Sequence, residues 1–319
     1  MSCLHRDRRW VIVLAGGSGT RLSSLTRNDH GTVVPKQYCS LSGDRSLLGD
    51  AMARAASLAT AERTMVVVAR EHAAWWSREF SGQSRARIVV QPHNRGTAPG
   101  VLLPLLAILD RDADAVVILL PSDHFVADEL SLARSLRAAH QAASDDTRRV
   151  VLLGLEPDAD EPDYGWILPA RGESWSRTVA AGTFPVERFI EKPDQDMAAA
   201  LWAQGAVWNG FFVAARGAVL RALYGQRLPE LLAAFEATAP HRSMRSAAGL
   251  YDRIGSSDFS RDVLEGSVQN LGVRIAPTCG WTDLGTPERV RRCITMNPWV
   301  VTASRPRHRA PWRLTTALP

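Results

Sequence analysis

Through the first half of the chain, short apolar runs alternate with stretches whose apolar residues recur at three- and four-residue spacing. Val11–Leu14, Thr64–Ala69, Ala115–Leu120 and Val150–Leu155 are runs of the first kind, and with Arg87–Gln91 they read as short strands buried in a parallel sheet. Ser46–Ala59 places Leu47, Leu48, Ala51, Met52 and Ala55 at helical spacing. Glu71–Phe80, a stretch running to about Asp110, and the amphipathic Leu130–Ala143 supply the other predicted helices. That rhythm predicts an α/β fold built on a doubly wound, mostly parallel sheet. From Glu161 the alternation breaks. Strands at Val186–Lys192 and Asn270–Pro277 follow, with helices over Asp194–Ala203 and Pro287–Met296, so the sheet is expected to be mixed. Gly217–Thr238 reads as helical and peripheral, and Ser256–Leu264 as a capped helix start. The polar stretch Leu22–Val34 reads as a mobile flap. Residues 298–319, rich in Pro and Arg, read as a poorly ordered basic tail.

Composition narrows the class. The 319 residues are 45% hydrophobic and 22% charged, ordinary values that allow a sizeable core. The formal net charge of +5 comes from dispersed basic residues, with a local excess only near the two ends. No aromatic residues interleave with them in a nucleic-acid pattern, so a solvated basic surface or an anionic small substrate is expected, and no nucleic acid. The four cysteines, Cys3, Cys39, Cys279 and Cys293, are scattered without a C-x-x-C pair. That spacing argues against a disulfide framework or a zinc site and fits a reducing cytoplasm. Val11–Leu14 is too short for a signal-peptide core, and no run is long enough to span a bilayer, so no membrane association is expected.

The candidate chemistry starts where the first strand ends. Leu14-Ala15-Gly16-Gly17-Ser18-Gly19-Thr20-Arg21 packs three glycines into a turn where backbone N–H groups and one guanidinium suit a run of phosphates. The loop is no P-loop, because the required Lys is missing. It is no dinucleotide fingerprint either, because the third glycine would fall on Leu22. A tight turn without a ligand would look the same, but Pro35-Lys36-Gln37 brings a Lys a short loop later. Ala115–Leu120 ends in Pro121-Ser122-Asp123-His124, at the strand end where open α/β sheets bind ligands. Asp123 there reads as a magnesium ligand or as a turn residue.

Taken together, these pieces resemble the nucleotidyltransferases that make nucleotide sugars, and most of all the mannose-1-phosphate guanylyltransferase family with its GGxGTRL…PKQ signature. The resemblance spans roughly residues 10 to 295, in the family's order. Gln91–Gly100 is similar to the family segment beside base and ribose, with Thr97 kept and placed to cap the following helix. Gly96 stands where the family usually has Asn. Pro162–Ile167 resembles the family's YGYI-type strand, whose backbone around Gly165 faces the sugar. Glu191-Lys192-Pro193 resembles the trio in which Glu bonds sugar hydroxyls and Lys holds the sugar phosphate. Val207–Phe212 resembles the W-N-S-G strand, with Asn209 kept for the sugar. Phe211 replaces a glycine there, its ring either narrowing the pocket or pointing into the core. Trp281-Thr282-Asp283-Leu284-Gly285 resembles W-x-D-[VL]-G and makes Asp283 a second metal carboxylate.

The resemblance implies a Rossmann-like nucleotide-diphospho-sugar transferase fold in one domain, 1–297. About 10–155 would bind the nucleotide and about 156–297 the sugar. It implies attack of a sugar 1-phosphate on the α-phosphorus of a nucleoside triphosphate, giving GDP-mannose and pyrophosphate from GTP and mannose 1-phosphate, with Mg²⁺. The catalytic set would be Arg21, Lys36, Asp123 and Asp283. Nucleotide binding would use the glycine loop (Leu14 to Arg21) with Lys36, Gln91, Thr97, Ser122 and Asp123. Gly165, Glu191, Lys192 and Asn209 would bind the sugar phosphate. Longer members carry a C-terminal β-helix or cupin-like domain, for which 319 residues leave no room, so isomerase activity is not expected. Other readings stay open: another nucleotide and sugar pair, a catalytically silent regulatory protein, an RNA-binding tail, and a homodimer.

Overall fold

The computed structural model describes residues 8–28, 30–41, 45–81, 86–170 and 182–297. Its strands are β1 (Arg9–Ala15), β2 (Thr64–Ala69), β3 (Arg87–Gln91), β4 (Val116–Pro121), β5 (Val150–Leu155), β6 (Gly165–Pro169), β7 (Phe184–Glu191), β8 (Val207–Arg216) and β9 (Leu271–Ile275). They form one sheet in the order β3-β2-β1-β4-β8-β5-β9-β7-β6. β8 also pairs with β6, so β8, β5, β9, β7 and β6 close into a ring.

The helices are α1 (Leu47–Ala56), α2 (Ala73–Glu79), α3 (Thr97–Leu109), α4 (Glu129–Asp145), α5 (Gln195–Ala203), α6 (Gly217–Arg227), α7 (Pro229–Thr238), α8 (Met244–Tyr251) and α9 (Pro287–Met296). Strand alternation sorts them to two faces. Val11, Val13, Ile118 and Leu120 point to the face covered by α1, α4, α5 and α9. Ile12, Val117 and Leu119 point to the face covered by α3, α6, α7 and α8. Each fully buried Leu or Ile in these layers contributes about 1.5–3 kcal/mol by leaving water. The sheet is therefore doubly wound, as its central strands, apolar on both sides, require.

The expectation of a mostly parallel sheet holds only for the first half. β1 to β4 pair in parallel, but among the described residues five of the nine strand pairings are antiparallel. β8 runs antiparallel to β4, β5 and β6, and β7 runs antiparallel to β6 and β9. Along β8, Val213–Arg216 pairs with β4, while Val207–Asn209 pairs with β6. Between them the register with β5 shifts, so Gly210–Phe212 forms a bulge that bends the strand.

Other differences are local. Gly217–Thr238 is two helices, because Pro229 starts a new one after Leu228 leaves helical geometry. Their faces are not merely peripheral, since Leu220, Leu223, Tyr224 and Phe235 are fully buried. α8 had no counterpart in the sequence pattern. Between Leu22 and Val34, Arg27 pairs with Val33, and Leu22, Thr26 and Val34 are buried. The stretch 298–319 and Cys3 lie outside the described residues.

Candidate active site

A cavity of about 400 Å³ opens at the carboxyl ends of β1, β3 and β4. β2 and β3 lie to one side of β1 and β4 to the other, so the loops after β1 and β4 diverge and leave a crevice between them. The glycine loop after β1 is clamped by Gln37, whose buried amide donates to the carbonyls of Ala15 (3.0 Å) and Gly17 (2.9 Å). Gly19 sits at φ +60° with the Lys36 backbone at its Cα, so any Cβ would come within 3.1 Å of Lys36 N. The loop and the Lys36–Tyr38 turn therefore hold each other.

Lys36 is the centre. Its side chain is only 6% exposed, and Nζ donates to Asp123 Oδ2 at 3.0 Å and to the backbone carbonyl of Asp283. Burial pushes the Asp123 carboxyl up, but the Lys36 ammonium and His124 outweigh it and hold it below the usual range. Burial also lowers His124 to about 4, so its imidazole is neutral at pH 7. The Trp281 indole N–H donates to His124 Nδ1 at 3.1 Å, which places the ring proton on Nε2, 3.6 Å from Asp123 Oδ1.

Asp283 is differently placed. Its carboxylate accepts from the Tyr164 hydroxyl (2.9 Å), the Gly285 N–H (2.8 Å) and Arg289, which lies 3.1 Å from each oxygen. Burial raises its pKa, while Lys36 and Arg289 outweigh that and lower it. Among the described residues no three His, Cys, Asp or Glu side chains converge as a protein-only metal cage. The Asp123 carboxylate and the Asp283 backbone carbonyl meet at Lys36, and the two aspartates on one cavity wall instead fit a hard cation that takes its other ligands from phosphate and water.

The far end of the cavity is lined by Glu191, Lys192, Phe211 and Ser260, with Asp258 on the wall that runs from there to Thr97. Burial, reinforced by Asp258, raises Glu191 to about 7, and its Oε2 has no hydrogen-bond partner. Lys192 leaves β7 at φ +53°, its N–H donating to the Tyr164 carbonyl at 3.2 Å. Phe211 occupies the β8 bulge at φ +60°, its N–H held by Asn209 Oδ1 at 3.1 Å and its ring 5.9 Å from that of Phe259. A left-handed phenylalanine costs about 1–2 kcal/mol, which explains the glycine common in the family and marks the ring as retained at a cost. Phe211 lines the cavity and also packs against the core beneath it, so both sequence readings hold in part. Phe211→Gly is expected to relieve the strain, widen this end, and raise relative turnover of bulkier sugar 1-phosphates by about tenfold. An unchanged ranking across a sugar 1-phosphate panel would refute that role.

At the other end lie Gln91, Asn94, Gly96 and Thr97. Gly96, at φ +87°, caps α3, and a Cβ there would stand 2.2 Å from the Ser257 carbonyl oxygen. That carbonyl instead accepts the Ala98 N–H at 3.1 Å. The glycine in place of the family Asn therefore permits the 257–258 backbone to dock on the α3 N-terminus. Thr97 does not cap its own helix as expected. Its hydroxyl donates to Asp258 Oδ2 (3.0 Å) and accepts from Phe259 N–H (2.7 Å), so it anchors the π-helical turn Phe259–Leu264.

Of the sequence-selected residues, Leu14, Gly16, Gly17, Gly19, Arg21, Lys36, Gln91, Thr97, Ser122, Asp123, Glu191, Lys192 and Asp283 line the one cavity. Ala15 is buried beneath the loop and Ser18 lies exposed in it, while Thr20 starts the following turn. Gly165 and Asn209 lie behind the wall. Gly165 leaves room for Glu191 Oε2, and Asn209 is spent on Phe211 and Ser260. Missed from sequence were Gln37, Asn94, Asp258 and Ser260. Gln37 was visible in the Pro-Lys-Gln signature; Asn94 lies within the Gln91–Gly100 stretch and Asp258 and Ser260 within the Ser256–Leu264 helix start, but none of the three was singled out.

The comparisons follow this geometry. A profile for the nucleotidyl transferase family matches residues 10–294. The xanthan biosynthesis protein XanB of Xanthomonas campestris is 34% identical over 63% of this chain and 41% of its own length. Mannose-1-phosphate guanylyltransferase ManC of Salmonella typhimurium is 31% identical over 73% of this chain and 48% of its own. Across several such curated relatives the chain spans 41% to 58% of their lengths. A crystal structure from Thermus thermophilus, described as mannose-1-phosphate geranyltransferase, superposes with TM-score 0.78 at 28% identity, covering 91% of this chain and 80% of that one.

Proposed function

The chain belongs to the nucleotidyl transferase family, and from that premise we propose that it joins a nucleoside triphosphate to a hexose 1-phosphate and releases pyrophosphate. GTP and mannose 1-phosphate are the proposed pair, with GDP-mannose the product, in line with the mannose-1-phosphate guanylyltransferases among its relatives. The observation that carries the reading is Lys36, held between Asp123 and the Asp283 carbonyl against the glycine loop, in a cavity that Glu191 and Lys192 also line. A reaction on nucleoside triphosphates also belongs in the cytoplasm.

Both substrates are anionic, so charge repulsion is the first obstacle. The sugar phosphate is already ionised, so no general base is needed, and positioning and electrostatics supply the catalysis. The glycine-loop N–H groups and Arg21 receive the triphosphate, Lys36 faces the α-phosphate, and Lys192 anchors the sugar phosphate. Bound at Asp123 and Asp283, Mg²⁺ would neutralise phosphate charge and hold the two reactants together. One observation favours a second reading, the same reaction with another sugar: the Phe211 ring stands at the sugar end, where the family has glycine.

Pyrophosphate release, measured across nucleoside triphosphates crossed with hexose 1-phosphates, tests both. A clear optimum for GTP with mannose 1-phosphate is expected. Another winning sugar would select the second reading, and no release from any pair would reject the enzyme.

A further inference from the structure

We propose that Arg289 is a positioning residue that shields the Asp283 carboxylate in the substrate-free protein and releases it when an anionic ligand draws Arg21 away. This rests on the reading of Asp283 as a carboxylate for a divalent cation. Arg289 Nη1 lies 3.1 Å from both Asp283 oxygens, so a guanidinium already occupies the face a cation would need.

Arg289 has another place to go. Its Nη2 is 2.7 Å from Glu161 Oε2 and 3.5 Å from Asp163 Oδ2, and its plane rests on the Tyr164 ring, 4.3 Å from the centroid. Its charge therefore stays paired after it leaves Asp283. The link to the glycine loop is Asp163. The same Oδ2 lies 3.6 Å from Arg21 Nη1, whose side chain is 60% exposed at the cavity rim. Two guanidinium groups share one carboxylate oxygen. A phosphate that pairs with Arg21 leaves Asp163 to Arg289 alone, which strengthens the pull away from Asp283. Occupancy of the loop and access to Asp283 are then coupled in both directions.

Mn²⁺ binding, read from the free-ion electron paramagnetic resonance signal without nucleotide or sugar, tests this. Arg289→Gln is expected to bind Mn²⁺ about tenfold more tightly than wild type. Arg21→Gln, which mimics the departure of Arg21, is expected to gain about threefold although it does not touch Asp283. The double variant is expected to match Arg289→Gln alone, because no guanidinium is left to hand over. Arg292→Gln removes the same charge one turn along α9, where Arg292 pairs with Asp158, and is expected to leave affinity unchanged. Equal gains in Arg289→Gln and Arg292→Gln, additive gains in the double variant, or no gain would overturn the proposal. Should Arg289→Gln fail to fold in a melting scan, Arg289→Lys keeps the charge without the planar fork and is expected to gain about threefold. Turnover is not the readout. The full pattern in a protein that releases no pyrophosphate would sink the enzymatic reading and keep the relay, while an active enzyme without the pattern would sink the relay alone.

Discussion

Asp123→Ala is expected to lower pyrophosphate release by about 10³-fold or more at saturating Mg²⁺, a loss of about 4 kcal/mol of transition-state stabilisation. Asp123 stands at the end of β4 with Oδ2 on Lys36 and its side chain 40% exposed to the cavity. Its pKa is depressed, so it is a full carboxylate throughout the neutral range. Removing it deletes one of two acidic groups facing the phosphates. It also leaves Lys36 with only the Asp283 carbonyl. Because the carboxylate is partly solvated, the stability cost is far below that of a fully buried pair, about 1–2 kcal/mol. A melting temperature lowered by a few degrees together with collapsed turnover is the expected result. Near-normal turnover in both Asp123→Ala and the closer isostere Asp123→Asn would remove Asp123 from the chemistry.

Lys36→Met is expected to produce the second largest loss, about 10²–10³-fold in kcat, with a smaller change in KM. The ammonium is buried and fixed by two oxygens from different halves of the sheet, so it is oriented before any substrate arrives. Such a charge acts mainly where negative charge grows, at the α-phosphate, and not on ground-state binding. Methionine fills the same volume but leaves Asp123 without its ammonium partner; because that carboxylate is 40% exposed, water takes over and the stability cost is expected to stay at about 1–2 kcal/mol. An unchanged kcat with a raised KM would make Lys36 a binding group only. Normal melting with lost turnover would separate its role from scaffolding.

Much of this was legible in the sequence because the information is local. β2, β3 and β5 begin and end where their apolar runs do, and α9 spans Pro287–Met296 as read, since Thr286 caps it and Pro287 opens it. The glycine loop stood out because three glycines crowd a strand end and Pro35-Lys36-Gln37 follows a short loop later, the glycines alone also fitting a ligand-free turn. What escaped depends on contacts distant in sequence. Thr97 looks like a helix cap until Asp258, 161 residues on, takes its hydroxyl. Asp258 and Ser260 fall in the Ser256–Leu264 helix start and Tyr251 ends α8, but their contacts with Thr97, Asn209 and Gln91 reach across the chain and leave no local mark. Tyr251 bonds Gln91 and the Pro99 carbonyl across the sheet edge. The antiparallel half was hidden for the same reason, because an apolar strand does not record the direction of its neighbours. Phe211 could be read as pocket or core, and in the bulge it takes part in both.

That bulge has a wider effect. β8 is bonded to β4 on one side of Gly210–Phe212 and to β6 on the other, with β5 alongside both. One continuous beam thus carries Asp123 at the end of its first neighbour and backs Glu191 through its second. The floor beneath both ends of the cavity is thus one hydrogen-bonded strand, and their separation follows its ladder spacing. A substitution that straightens the bulge is then expected to disturb both ends of the cavity together.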